Sequence, residues 1–316
     1  MTTVNSNQTE FKTQDAASYN QVAQSFDRLV TQLSAPVAAR LVALAGLALD
    51  NHVLDVGAGT GIVAFRAAAA MGPSGRVVGI DLSDGMLKVA RQNAIAKGLA
   101  DRVEFRKMDA ESLECSDGSF DAVLSLFALR HFPHPEMALQ EMHRVLRPGG
   151  RLVLAVGSGA PWLSFVGLAH RLKLVPQILR RFQGKQLVAC EFLDGMVEAC
   201  VPASGKSEEA DWTHEHAHMQ QSVPALIREA GFQDIRSEWL GQQTTVNTPE
   251  EFWELQTTFS SLSRKRLAAV PSDVAARVRQ DFMTTCREVL SRGGELVYPT
   301  GALLVSCRRT VYSPSK

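Results

Sequence analysis

The chain has 316 residues, 33 Lys+Arg against 33 Asp+Glu, 45% hydrophobic residues and 21% charged ones, which is enough apolar sequence for one large domain or a domain with an appendage and excludes disorder over most of its length. Zero net charge and the lack of any run of five like charges exclude electrostatic capture by nucleic acid or an anionic membrane, so the expected partner is a small molecule. The apolar stretch 37–49 contains Arg40 and falls short of the roughly 20 residues of a membrane span. The polar first 25 residues show no secretory pattern, and five scattered cysteines with no CxxC pair point to a reducing, cytoplasmic compartment.

Residues 1–18, rich in Thr, Asn, Gln and Ser, are expected to form a flexible leader, with order beginning near Tyr19. An Ala- and Leu-rich helix follows from Pro36 to about Leu49. His52 to Val56 reads as a buried strand that ends in the turn Gly57-Ala-Gly-Thr-Gly61 and passes into a helix over Ile62 to Met71. Arg76 to Asp81 is a second strand, Ser83 caps a helix over 84–97, and Val103 to Met108 and Phe120 to Leu126 are the third and fourth strands. A helix from Pro135 to Leu146 is stopped by Arg147-Pro-Gly-Gly150, and Arg151 to Val156 is the fifth strand. Strands that alternate with crossover helices imply a parallel sheet covered on both faces.

The alternation is lost between Gly157 and Gln221, where Trp162, Phe165, Leu168, Leu172 and Leu174 are spaced for a helix, and this stretch is expected to be an insertion over the sheet. Regularity returns with a helix over 222–231, a strand over 232–240, a capping box at Thr248-Pro-Glu-Glu251, a helix from Ser272 to Leu290 and a last strand over 295–307. Trp162, Phe165, Phe182, Phe192, Trp253 and Phe259 are candidates to wall an apolar acceptor pocket, with simple core packing as the alternative. His214, His216 and His218 would share one face of a strand and could gather a metal. Their place in the irregular stretch favours a solvated loop instead, so no metal is expected.

Glycines at 57, 59 and 61 let a ligand lie against bare backbone at the carboxyl end of a strand. Asp55 stands two residues before them, where it would repel a pyrophosphate but suit a ligand bearing an ammonium group. That position, with the Gly-x-Gly-x-Gly spacing, disfavours a nicotinamide dinucleotide. Asp81, at the end of the second strand, can accept both hydroxyls of a ribose, and Asp109, after the third, can accept from an exocyclic adenine amine.

These segments, together with Val78-Gly-Ile-Asp-Leu-Ser-Asp-Gly-Met-Leu87, Asp109-Ala-Glu111, Phe120-Asp-Ala-Val123 and Val145-Leu-Arg-Pro-Gly-Gly150, resemble class I S-adenosylmethionine-dependent methyltransferases over about Tyr19 to Val156. The similarity is to the branch of ubiquinone/menaquinone-biosynthesis C-methyltransferases and natural-product O- and N-methyltransferases of secondary metabolism. The resemblance implies an α/β, Rossmann-like fold: a seven-stranded, mostly parallel sheet with an antiparallel last strand. It implies one methyltransferase domain over 19–316, with a cofactor-binding core at 36–157 and a helical cap built from 158–221 and 248–291 over the acceptor site.

Carried over residue by residue, the resemblance places the methionine part of S-adenosylmethionine against Asp55 and the turn Gly57, Ala58, Gly59, Thr60 and Gly61. It places the ribose on Asp81, adenine beside Leu82, Met86 and Ala110, and the adenine amine on Asp109. Ser125 and Leu126 would approach the sulfonium side through backbone, and Tyr19 would belong to an aromatic segment closing over the cofactor, with plain helical packing as its alternative reading. His131, in Leu126-Phe-Ala-Leu-Arg-His-Phe132, would face the acceptor, and a histidine can take a proton near neutral pH. The expected reaction is in-line methyl transfer to O, N or activated C of a small, partly hydrophobic molecule, leaving S-adenosylhomocysteine. Quinone-ring C-methylation is the alternative, followed by a cofactor-binding protein that no longer methylates. The oligomeric state is not readable from the sequence.

Overall fold

The structure, a computed structural model, describes residues 2–157, 184–189, 191–200 and 219–310. Trp162, Phe165, Phe182, His214, His216, His218 and most of the expected cap insertion lie outside the described residues. The chain divides into two compact units: Met1–Ser158, Glu209–Leu240 and Ala302–Lys316 form the first, and Gly159–Glu208 with Gly241–Gly301 form the second. In chain order the described helices are α1 (Thr2–Asn20), α2 (Ala23–Leu33), α3 (Ala35–Ala45), α4 (Ile62–Ala70), α5 (Asp84–Ala96), α6 (Pro135–Val145), α7 (Glu191–Cys200), α8 (Met219–Glu229), α9 (Pro249–Phe259), α10 (Ser261–Ala268) and α11 (Ser272–Ser291). The strands are β1 (His52–Val56), β2 (Arg76–Asp81), β3 (Val103–Lys107), β4 (Phe120–Leu126), β5 (Leu146–Gly157), β6 (Gln186–Val188), β7 (Phe232–Val246) and β8 (Glu295–Arg309).

In the first unit the strand order is β3-β2-β1-β4-β5, every neighbour pair parallel. The last strand runs antiparallel to β5, from Arg151 opposite Arg308 to Gly157 opposite Ala302. This is the mostly parallel sheet with an antiparallel last strand that the resemblance implies, but with eight strands among the described residues instead of seven. Because successive strand residues point to opposite faces, Val53, Val77, Ala122, Leu124, Val153 and Ala155 pack with α3, α4 and α5 on one side. Leu54, Val56, Ile80, Val123, Leu152, Leu154 and Val156 pack with α6 and with Val223 and Ile227 of α8 on the other. Each such fully buried aliphatic side chain stabilises the fold by roughly 1.5–3 kcal/mol before entropy is counted.

One close fit secures the turn after β1. A Cβ on Gly61 would stand 2.6 Å from the Phe65 ring, and one on Gly79 would stand 2.6 Å from the Phe105 ring. The two rings meet edge to face at 5.7 Å, so ring volume fills what the missing side chains leave open.

Several boundaries differ from the sequence reading. Residues 1–18 are expected as a flexible leader, but Thr2–Asn20 is helical, and α1 holds specific side-chain bonds to the sheet's carboxyl edge described below. The helix expected to reach Leu49 ends at Ala45, because Gly46 turns left-handed at φ +58. β5 starts at Leu146, not at Arg151: Leu146 already pairs with Phe120, and the Pro-Gly-Gly segment is absorbed as an irregularity before Arg151 pairs with Ala122. α8 starts at Met219 and holds Pro224 inside it, and β7 continues to Val246.

In the second unit β6 pairs parallel with residues 295–297 of β8. The capping box is present, with the Thr248 hydroxyl accepting from the Glu251 amide at 3.2 Å. α10 is a further helix, capped by the Ser260 hydroxyl. Phe282 of α11 is fully buried, with Phe192, Trp253 and Phe252 rings at 5.0, 5.1 and 5.7 Å, while Phe259 packs on Tyr298 at 5.8 Å. Phe192, Trp253 and Phe259, candidates for an acceptor wall, therefore take part in this unit's own packing.

Candidate functional site

The carboxyl ends of β1, β2 and β4 meet at the glycine turn. Gly57 takes φ +70, and a Cβ there would stand only 2.2 Å from that of Ala128, so the position requires glycine on two counts. The Ala58 amide donates to the Ile80 carbonyl at 2.8 Å and the Gly61 amide to that of Ala58 at 2.9 Å. Asp81 then ties the turn to the start of α5: its Oδ2 accepts from the Gly59 amide and its Oδ1 from the Ser83 amide, both at 2.9 Å. Burial raises the Asp81 carboxyl above its ordinary value, with the two amides opposing the rise. Each oxygen keeps a lone pair for a further donor, the arrangement a vicinal diol requires.

Asp55 is 1% exposed, and neither carboxylate oxygen has a hydrogen-bond partner of good geometry among the described residues. Burial foremost, and the charge of Asp81, push its carboxyl up to about 7, while the Ala64 amide in the first turn of α4 pulls it back. The Thr60 hydroxyl is likewise buried and partnerless. An unsatisfied buried carboxylate is costly, and a cation with N–H donors would remove that cost. Ser125 is buried and donates its hydroxyl to the Val56 carbonyl at 2.9 Å, while Leu126 is half-buried in the core beside it. Met86 and Ala110 are buried and Leu82 half-buried, and the Met86 amide is bound by the Ser83 cap.

Sequence reasoning did not foresee α1. Lys12 places its ammonium 2.7 Å from Asp109 Oδ2 and 2.6 Å from Glu111 Oε2. Burial pulls the Lys12 pKa down, but the two carboxylates outweigh it and the net shift is upward. Asp109, assigned to the adenine amine, thus already holds a cation, and its other oxygen accepts from the Glu111 amide at 3.0 Å. Asp15, 6% exposed, lies 3.0 Å from His131 Nδ1, and the Tyr19 hydroxyl lies 3.4 Å from His131 Nε2. Asn20 Oδ1 accepts from Ser83 Oγ and the Gly85 amide at 2.8 and 2.7 Å. The one available signal was spacing: residues 12, 15 and 19 share a helix face.

His131 ends a short 3-10 turn, Leu129–His131, just past β4. Its neighbour Arg130 is half-buried, and desolvation lowers its pKa with no carboxylate partner for it among the described residues. No group of three or more His, Cys, Asp or Glu among the described residues could hold a metal, and none of their helices is long and apolar enough to cross a membrane.

Residues 53–150 match the family described as Methyltransferase domain. Over 137 residues the chain is 42% identical to the ubiquinone/menaquinone biosynthesis C-methyltransferase UbiE of Ectopseudomonas mendocina, covering 43% of this chain and 54% of that protein. The protein of the same name from Pseudomonas fluorescens is 43% identical over 113 residues, 36% of this chain and 44% of its own length. The chain thus spans about half the length of the curated relatives it matches. Among solved structures, YcgJ of Bacillus subtilis aligns at 17% identity and TM-score 0.51 over 86% of this chain and 97% of that one. A chain from a complex of the Haloferax volcanii Trm112 methyltransferase activator aligns at 17% identity and TM-score 0.50 over 95% and 99%; both are similar in fold. With the glycine turn, the acids closing β1 and β2 and the sheet order in place, residues 53–150 match a methyltransferase domain, and the chain is similar over about half their length to the ubiquinone/menaquinone biosynthesis C-methyltransferases.

Proposed function

We propose that this protein transfers a methyl group from S-adenosylmethionine to O, N or activated C of a small, partly hydrophobic molecule, with S-adenosylhomocysteine as the product. The observation that carries the reading is the buried carboxylate of Asp55, which makes no hydrogen bond of good geometry among the described residues, beside the bare backbone of Gly57 to Gly61. Asp55 would hold the cofactor's amino group, Asp81 its ribose hydroxyls, Leu82, Met86 and Ala110 its adenine ring, and Asp109, between Lys12 and the amine, the ring's edge. Ser125 and Leu126 would border the reacting side. Bound S-adenosylmethionine supplies an activated methyl group on a sulfonium sulfur.

The chain's own task is then to align the acceptor and take its proton. His131 is the candidate base: it follows β4 at the edge of the site, and its ring is held between Asp15 and Tyr19. Arg130 supports a second reading, ring C-methylation of a quinol-type phenol, because a desolvated guanidinium with no carboxylate partner among the described residues suits a phenolate oxygen. The relatives named above are, by name, C-methyltransferases of ubiquinone/menaquinone biosynthesis. Free thiols at Cys115, Cys286 and Cys307 fit a cytoplasmic setting.

Calorimetric titration tests the core of the reading. Saturable binding of S-adenosylmethionine and S-adenosylhomocysteine without NAD is expected, and tight NAD binding with neither nucleoside would overturn it. Once an acceptor is found by screening phenols and amines, His131→Ala should slow transfer by about ten- to a thousandfold with cofactor affinity nearly intact.

A further inference from the structure

An acid buried on an otherwise polar helix needs a reason. Asp15 is 6% exposed although its neighbours Gln14 and Ala16 on α1 are not buried, and burying a carboxylate costs several kcal/mol unless it is hydrogen-bonded. One partner is His131 Nδ1, 3.0 Å away and 116 positions along the chain. An ionised carboxylate only accepts, so a neutral imidazole can satisfy this contact only with its proton on Nδ1. The lone pair then falls on Nε2, toward the Tyr19 hydroxyl at 3.4 Å. The Tyr19 and His131 rings stand nearly perpendicular, at 82° with centroids 5.5 Å apart, which fixes the imidazole plane as well.

We propose that Asp15 is a positioning residue that holds the proton of neutral His131 on Nδ1, so that Nε2 is the basic nitrogen presented to the methyl acceptor, with Tyr19 as its hydroxyl contact. This rests on the reading of His131 as the proton acceptor. In the step, the acceptor's O–H or N–H bond breaks and an N–H bond forms at Nε2. When Tyr19 lies between them, it gives its proton to Nε2 and takes the acceptor's in turn. The imidazolium so formed keeps its Nδ1–H on Asp15, whose negative charge balances it. The proton then leaves to water after product departs, restoring the starting form.

The same face of α1 carries Lys12 on Asp109 and Glu111. One helix therefore spans the two ends of the site, the carboxylate assigned to adenine and the histidine assigned to the acceptor. Among the described residues, the contacts to both ring nitrogens of His131 come from α1.

Nitrogen-15 NMR of histidine-labelled full-length protein reads the tautomer directly, without an acceptor or a bound cofactor. The His131 signals are assigned by their loss in His131→Gln, and spectra are taken at a pH where the imidazole is neutral. The expected result is a protonated Nδ1 and an unprotonated Nε2 in the wild type. Asp15→Leu removes the acceptor from Nδ1, and there the preference for a protonated Nδ1 should be lost; Asp15→Glu should keep the wild-type pattern. A wild-type His131 protonated on Nε2 overturns the proposal whether or not any variant folds. So does an Asp15→Leu protein with an unchanged melting temperature and an unchanged tautomer. If the tautomer behaves as proposed while His131→Ala leaves transfer rates intact, His131 is not the base, and the failure belongs to that reading alone.

Discussion

Replacing Asp55 by Asn should remove the acid limb from the pH dependence of S-adenosylmethionine binding. In the free protein, burial and the neighbouring charge of Asp81 raise the Asp55 carboxyl from 3.8 to about 7. Below that value the site holds a neutral acid, which offers an ammonium group little. If only the ionised form accepts the ligand, the competent fraction is about nine tenths at pH 8 and about one hundredth at pH 5, and affinity falls with that fraction. The slope is roughly tenfold, or ~1.4 kcal/mol, per pH unit below 7. An α-amine loses its own proton near ~8, so affinity should peak between about 7 and 8. Folding responds with a definite sign. The folded state keeps a proton that the unfolded chain releases above its ordinary value, so this contribution is full at acid pH and is lost as pH rises through about 7. It amounts to on the order of 4 kcal/mol. The Asn variant lacks this decline, and its melting temperature should gain on the wild type between pH 5 and 8. Calorimetry in two buffers of different ionisation heat should find close to one proton released per ligand bound near pH 6. Affinity that is flat with pH and free of proton release would refute the reasoning, as would an Asn variant that keeps the same acid limb.

Gly57→Ala places a methyl group 2.2 Å from the Ala128 Cβ on a backbone at φ +70 and should cost about 2–4 kcal/mol in urea unfolding; a loss below ~1 kcal/mol would show that the turn relaxes easily. Asp81→Asn should weaken cofactor binding by roughly 1.5–3 kcal/mol. Because Asp81 also binds the Gly59 and Ser83 amides, its melting temperature should fall too, and unchanged affinity would remove the ribose assignment. Lys12→Met strips the cation from Glu111, whose side chain is 5% exposed, and should destabilise the chain by about 1–3 kcal/mol at low salt. Equal stability of the two proteins in low-salt denaturation would mean that the ion pairs contribute nothing net.

Boundaries were legible where chemistry punctuates the chain. β1 and β2 are apolar runs closed by Asp and Gly, and the caps Ser83 and Thr248 precede their helices with a hydroxyl that meets an amide three residues on. α1 was not legible, because its composition resembles that of a solvated tail while its anchors, Lys12 and Asp15, meet partners 97 to 116 positions away. Periodicity reports which faces a helix can bury, not what a distant turn will offer to them. The same limit applies to Phe192 and Trp253: aromatic spacing suits a pocket wall and a core alike, and only the rings converging on Phe282 decide for packing. Asp55, Asp81 and the three glycines were readable in position, since each stands near the carboxyl end of a strand where the sequence itself breaks.

The interlocked glycines and phenylalanines of the turn have a consequence for sequence drift. Phe65 lies in the volume a side chain at Gly61 would need, and Phe105 lies against both Gly61 and Gly79. None of these four positions can enlarge alone. A methyl group at 79 becomes tolerable only when the residue at 105 shrinks, and a smaller residue at 105 leaves a void that a methyl group at 79 would partly refill. Substitutions here should therefore come in matched pairs, each harmful singly and nearly neutral together, so related chains would be expected to trade bulk between positions 79 and 105. At 61 the left-handed backbone, φ +97, forbids even that exchange, and the turn's last glycine stays fixed whatever its neighbours become.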